Sequence, residues 1–201
     1  MTFGQRFARL ATVVSVRAPL LWRLFRRPLT RTFDRLAPEW DATRARPERL
    51  EAMLRALESI PDDPRRVLDV GTGTGAAARL AAARWPAAEV TGVDASGGMI
   101  AEARRLGSER YDVGDASALP YPDASFDLVT LNNMIPFFDE LARVTEPGGI
   151  VVVAFSLGEH TPIYVPLERV ARSLERRGFA HVADFSAGPG VALLARKDDR
   201  S

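Results

Sequence analysis

The run Val67-Leu68-Asp69-Val70-Gly71-Thr72-Gly73-Thr74-Gly75 constrains this chain more than any other stretch. It begins apolar and β-branched, as a buried strand does. It then becomes glycine-rich and passes directly into Ala76-Ala77-Ala78-Arg79-Leu80-Ala81-Ala82-Ala83, a strong helix former. Strand, glycine turn and helix, in that order, open a nucleotide-binding βαβ unit. The glycines let the backbone turn tightly and let a ligand approach without meeting a Cβ. The helix N-terminus behind them offers unpaired N–H groups.

Two ligands compete for that turn. Gly71, Gly73 and Ala76 fit the G-x-G-x-x-A dinucleotide fingerprint. Asp69, two residues before the first glycine, is a poor neighbour for a pyrophosphate and a good one for a cationic amino-acid group. S-adenosylmethionine has such a group and no phosphate. Composition narrows the chemistry further. The chain has no cysteine, which excludes disulfides, thiol catalysis and thiolate-ligated zinc, and its two histidines give little for a metal site, so no metal is expected.

Charge is unevenly spread. Residues 1–35 hold eight arginines and one aspartate, a net +7, whereas residues 36–201 hold 19 basic and 25 acidic residues, a net −6. The larger part is mildly acidic, and nucleic acid is not an expected partner. In the basic arm, Phe7, Leu10, Ala11 and Val14 recur at helical spacing and predict a helix over 4–16, with Pro19 and Pro28 interrupting the residues beyond it. Its longest charge-free run, 10–16, is too short to span a bilayer. The arm has two readings: a membrane-surface helix anchored by Phe3, Phe7, Trp22 and Phe25, or an arm packed on the acidic domain.

Beyond the arm, Leu50, Met53, Leu54 and Leu57 mark one face of a helix ending near Ile60. After the central turn, strands are predicted at 89–94, 110–116, 126–132, 150–155, 179–185 and 191–195, the last two close enough to pair antiparallel. Helices are predicted at 98–106, 137–145 and 167–177. Asp94 ends the second strand, 19 residues after Gly75. A carboxylate there accepts hydrogen bonds from ribose hydroxyls, while Asp94 or Ser96 also suits an N-cap.

Four segments in this order resemble class I S-adenosylmethionine-dependent methyltransferases, in particular the ubiquinone/menaquinone-biosynthesis group. They are residues 67–75, the acidic Asp94, the run Gly114-Asp115-Ala116-Ser117-Ala118-Leu119-Pro120-Tyr121-Pro122-Asp123-Ala124-Ser125-Phe126-Asp127-Leu128-Val129, and Leu141-Ala142-Arg143-Val144-Thr145-Glu146-Pro147-Gly148-Gly149. The match runs over 33–196. The resemblance implies an α/β, Rossmann-like, doubly wound seven-stranded sheet, order 3-2-1-4-5-7-6, with strand 7 antiparallel. It implies a methyltransferase domain over 33–201 behind a helical arm over 1–32.

The same resemblance implies site roles. Asp69, Gly71, Thr72, Gly73 and Gly75 would cradle the methionine part of S-adenosylmethionine. Asp94, with Ala95 and Met99, would hold the ribose side. Asp115 and Ala116 would meet adenine, and Asn132 would face the methyl-transfer point. The segment from Phe33-Asp34-Arg35 to Trp40-Asp41 matches the part that covers the cofactor in this group. Here Asn132-Asn133-Met134-Ile135-Pro136 leads straight into the next helix, whereas relatives have a longer connection, often with a histidine pair. Substrate contacts therefore fall to residues 1–60, to this short loop, and to 157–166, with Phe33, Trp40, Asn133 and Tyr164 as candidates. Asn132 and His160 are the candidate catalytic residues, each with a plain structural alternative: a satisfied strand end and an exposed loop. The expected function is methylation of a small-molecule acceptor by a cytoplasmic enzyme. The competing one is a methyltransferase-like cofactor-binding module that acts through its arm on a partner or a membrane.

Overall fold

A computed structural model describes residues 3–44 and 46–199. One sheet holds seven strands: β1 (Arg66–Val70), β2 (Glu89–Asp94), β3 (Arg110–Val113), β4 (Phe126–Asn132), β5 (Thr145–Phe155), β6 (Phe179–Ala187) and β7 (Gly190–Lys197). Their order is β3-β2-β1-β4-β5-β7-β6, as the resemblance implies. The first five run parallel, and β7 lies antiparallel between β5 and β6.

Among the described residues, seven α-helices accompany this sheet: α1 (Phe3–Arg17), α2 (Trp22–Arg44), α3 (Glu51–Glu58), α4 (Ala76–Arg84), α5 (Gly97–Leu106), α6 (Phe138–Val144) and α7 (Leu167–Glu175). The two-residue period of the strands sorts side chains between the faces. Val67, Leu128, Val152 and Leu194 pack with α3, α4 and α5. Leu68, Val129, Val151, Val153 and Leu193 pack with α1, α2, α6 and α7. A continuous apolar strand such as Val151-Val152-Val153 is therefore buried on both sides.

Two elements differ from the sequence reading. Pro19 and Pro28 were expected to interrupt the arm; Pro19 opens the turn between α1 and α2, yet α2 runs unbroken through Pro28 and also through Pro38. Each proline removes a backbone donor and costs roughly 3 kcal/mol in a free helix. Here both rings face outward, and the opposite side of α2 is held down by buried Trp22, Leu29 and Ala37. Tertiary contact overrides the local preference. The expected arm boundary at residue 32 consequently falls inside this helix.

The second difference is β5, which starts at Thr145 rather than near Ile150. Thr145 pairs with Phe126 and Ile150 pairs with Leu128, so the intervening residues bulge from the ladder. Gly148, at φ +76°, makes the bend. At the amino-terminal edge of the sheet, Asp127 accepts the backbone N–H groups of Arg65 and Arg66 at 2.8 and 2.9 Å. That places Asp127 at the end of the sheet away from the glycine turn.

Candidate cofactor site

The carboxyl ends of β1, β2, β3 and β4 converge beside the glycine turn. Gly71 and Thr72 donate their N–H groups to Val93 O at 2.8 and 3.0 Å, which ties the turn to β2. Gly73 N donates to Asp94 Oδ2 at 3.0 Å, and Ser96 N to Asp94 Oδ1 at 2.8 Å. Ser96 also caps α5, its Oγ accepting from Met99 N at 3.1 Å. Of the two cap candidates, Ser96 is therefore the one that caps the helix, and Asp94 stays at the turn. Burial pushes the Asp94 carboxyl up, the N–H groups of Ser96 and Gly73 oppose this, and the nearby Asp34 carboxylate adds to the rise.

Asp69 sits underneath. It is 1% exposed, and its two oxygens accept from Thr72 Oγ1 at 2.6 Å and Thr130 Oγ1 at 2.9 Å. Burial pushes its carboxyl up, and the two hydroxyls pull the other way. The Thr72 hydroxyl ties this carboxyl to the turn. Met99 is buried in the first turn of α5, and Ala116 is buried near the start of the segment that follows β3.

Helix α2 forms the roof. Arg26 meets Asp115 Oδ2 at 2.7 Å, and Trp22 Nε1 donates to Asp115 Oδ1 at 3.0 Å. Farther along, Asp34 Oδ1 accepts from Ser96 Oγ at 2.5 Å and Gly98 N at 3.0 Å. Near the end, Asp41 takes the Thr74 hydroxyl and pairs with Arg79 at 3.5 Å. In chain order these contacts fall just beyond β3, β2 and β1, so α2 lies across all three strand ends. Phe33 and Trp40, seven residues apart, meet edge to face at 5.7 Å on this helix.

Asp115, expected to meet adenine, thus spends both oxygens on α2, and Oδ1 also accepts from Ser117 N and Oγ. Burial raises its carboxyl, but the Ser117, Arg26 and Trp22 donors outweigh that and leave it below the ordinary range. Asp34 and Asp41 lie in the segment that the resemblance reads as covering the cofactor. Trp22 and Arg26 were not singled out from sequence as contacts of the site; their one signal was position on the same side of a helix as Leu29 and Ala37, and the expected break at Pro28 hid it. Between α2 and the strand ends lie two adjoining clefts of about 430 and 550 Å3, sharing Arg26, Arg27 and Asp115. Ala95 and Gly114 line the first, Ser117 and Ala118 the second.

The remaining candidates separate. Asn132 Oδ1 is buried at the end of β4 with no hydrogen-bond partner. Such an atom needs an explanation, and a bound polar group is one. Asn133, at φ +56°, is fully used: its Nδ2 donates to Ser156 Oγ at 2.9 Å and its Oδ1 accepts from Ser156 N at 2.8 Å. It locks β4 to β5. His160 lies exposed on the short helical turn Gly158–His160. Tyr164 packs edge to face on Phe155 at 5.1 Å, with Arg9 of α1 5.8 Å above its ring. Burial pushes the Tyr164 hydroxyl up, and Glu159 and Glu168 add to this. Arg9 also donates to the carbonyls of Glu159 and Thr161, so α1 covers the 157–166 segment. Among the described residues, no group of three His, Asp or Glu side chains converges as a metal site. Among them, no helix is long and apolar enough to cross a membrane.

The methyltransferase domain family matches residues 68–153. The malonyl-[acyl-carrier protein] O-methyltransferase of Geobacter sulfurreducens is 34% identical over 190 residues, covering 88% of this chain and 71% of that protein. The chain belongs to the class I S-adenosylmethionine-dependent methyltransferases. The demethylmenaquinone methyltransferase of Deinococcus radiodurans, another relative, is 43% identical over 49% of the chain and 46% of its own length. The chain spans about half the length of several of the curated relatives it matches. A solved S-adenosylmethionine-dependent methyltransferase of Aquifex aeolicus shares the fold, with a TM-score of 0.63 at 19% identity over 83% of this chain and 97% of that one. The family's cofactor is S-adenosylmethionine, and the residues present fit it. A Cβ added at Gly73, φ +56°, would meet nothing within 4 Å, so the turn borders open space beside Asp94. The orphaned Asn132 oxygen lies at the neighbouring strand end.

Proposed function

We propose that this chain transfers a methyl group from S-adenosylmethionine to a small-molecule acceptor. The observation that carries the reading is the convergence of the open Gly73 turn, Asp94 and the unpartnered Asn132 oxygen at adjacent strand ends. When bound, S-adenosylmethionine supplies an electrophilic methyl on a sulfonium, and displacement there needs little from the protein beyond alignment. Residues 71–75 form the cradle, with the Asp69 carboxyl beneath it. Asp94 has lone pairs left for the ribose hydroxyls after accepting from Gly73 and Ser96. Asn132 Oδ1 orients the reacting end. Asp115 holds the α2 roof through Arg26 and Trp22, and the adenine contact falls to its neighbours Ala95, Gly114 and Ala116.

No residue is assigned as a base. His160 is exposed, and Tyr164, with its hydroxyl pushed up, stays protonated near neutral pH. That suits an acceptor already anionic, such as a carboxylate. The arginine side chains around the two clefts favour the same acceptor. Relatives named for malonyl-[acyl-carrier protein], trans-aconitate and demethylmenaquinone define a test panel. Incubation with methyl-labelled S-adenosylmethionine and carboxylate acceptors should release S-adenosylhomocysteine in step with acceptor methylation. Tight cofactor binding with no transfer to any carboxylate or quinol would favour a binding module instead.

A further inference from the structure

The arm is packed on the domain, yet it keeps an unusual outer surface. Among the described residues, five of the seven exposed large apolar side chains fall within one short segment: Leu10, Val13, Leu20, Leu21 and Leu24. Leu20 is 79% exposed and Leu24 70%. They flank the turn Pro19–Leu21, the tip of a hairpin whose two helices meet through Phe7 and Phe25 at 5.8 Å. On α1, Arg6, Leu10, Val13 and Arg17 recur at i, i+4, i+7 and i+11, one outward stripe. On α2, Leu24, Arg27 and Arg31 repeat the pattern.

No acidic residue occurs before Asp34. Arg9 and Arg26 are consumed by contacts within the fold. Arg6, Arg17, Arg23, Arg27 and Arg31 are exposed and form no ion pair among the described residues. An aliphatic tip with arginines on both flanks matches what an interfacial helix presents to lipid, the apolar groups entering the acyl boundary and the cations staying at the headgroups.

We propose that this hairpin tip docks the protein on an anionic lipid bilayer, independently of whether methyl transfer occurs. A protein partner fits the surface less well. Protein interfaces are anchored by aromatic side chains in pockets, and here Trp22 is buried while Phe7 and Phe25 pack on each other. The membrane-surface reading of the sequence had Phe3, Phe7, Trp22 and Phe25 as its anchors; the last three are turned inward here, and the side chain of Phe3 lies outside the described ones. Docking through Leu20 also sets the wider cleft at the bilayer surface, because Pro19, Leu20 and Arg23 form its lip.

The test is cosedimentation of the full chain with phosphatidylcholine vesicles, with and without phosphatidylglycerol. Binding is expected only with the anionic lipid, and it should weaken as salt rises. Arg23→Glu with Arg27→Glu should weaken it at least tenfold. Leu20→Ser with Leu24→Ser should weaken it comparably while circular dichroism and melting temperature stay unchanged, since both side chains are exposed. Absence of vesicle binding by the wild-type chain overturns the proposal and points to an acidic protein as the partner. So does binding that survives both double variants. S-adenosylhomocysteine binding, measured in parallel, reports the cofactor site separately.

Discussion

Asp94→Ala is expected to weaken S-adenosylhomocysteine binding by about 1.5–3 kcal/mol, roughly a ten- to hundredfold rise in Kd. The carboxylate holds the turn through Gly73 and the start of α5 through Ser96, and its remaining lone pairs face the proposed ribose position. Asp94→Asn, which keeps one acceptor oxygen, should fall between wild type and alanine. Asp127→Ala is the contrast. It frees the N–H groups of Arg65 and Arg66 at the opposite edge of the sheet. The expected result is a stability loss of about 1–3 kcal/mol, seen as a lower melting temperature, with Kd unchanged. If Asp127→Ala abolished binding in a folded protein while Asp94→Ala did nothing, the site would be at the wrong end of the strands.

Trp22→Ala is expected to have the largest effect on stability of any arm substitution. The indole is buried, lies edge to face on Phe137 at 5.6 Å and donates to Asp115. Removing a buried Trp side chain typically costs about 3–5 kcal/mol. For a chain of this size that is a fall of roughly 6–20 °C in melting temperature. Leu24→Ala, two residues away on the exposed side, should change stability by less than about 0.5 kcal/mol. Calorimetric melting of the two variants compares a packed roof with a loose appendage. Equal, negligible shifts would mean that α2 is not part of the folded core.

The parts of the fold that rest on local pattern were legible in the sequence. The predicted and observed bounds of β2 and β4 coincide, because each is a short segment of apolar and β-branched residues ended by an acidic or amide residue at the ligand side. Phe138, Leu141 and Val144 are the buried residues of α6, as their spacing requires. What stayed hidden depends on partners distant in sequence. The continuity of α2 comes from burying Trp22, Leu29 and Ala37 as the helix docks on α5 and on the loops beyond the strand ends, surfaces that only exist after folding. The early start of β5 comes from Thr145 pairing with Phe126 across a bulge. In the candidate site, sequence order placed the turn, Asp94 and Asn132. It did not show that Asp115 is tied to Arg26, nor that Asn133 is consumed in bracing Ser156. Such pairings depend on side-chain direction, which spacing along one strand does not convey.

The central claim is that the glycine turn, with Asp69 beneath it and Asp94 beside it, selects S-adenosylmethionine over a dinucleotide. Titration calorimetry of the full chain with S-adenosylhomocysteine and, separately, with NAD tests this directly. Saturable heat with S-adenosylhomocysteine and none with NAD is the predicted result. Binding of NAD with no response to S-adenosylhomocysteine would contradict it.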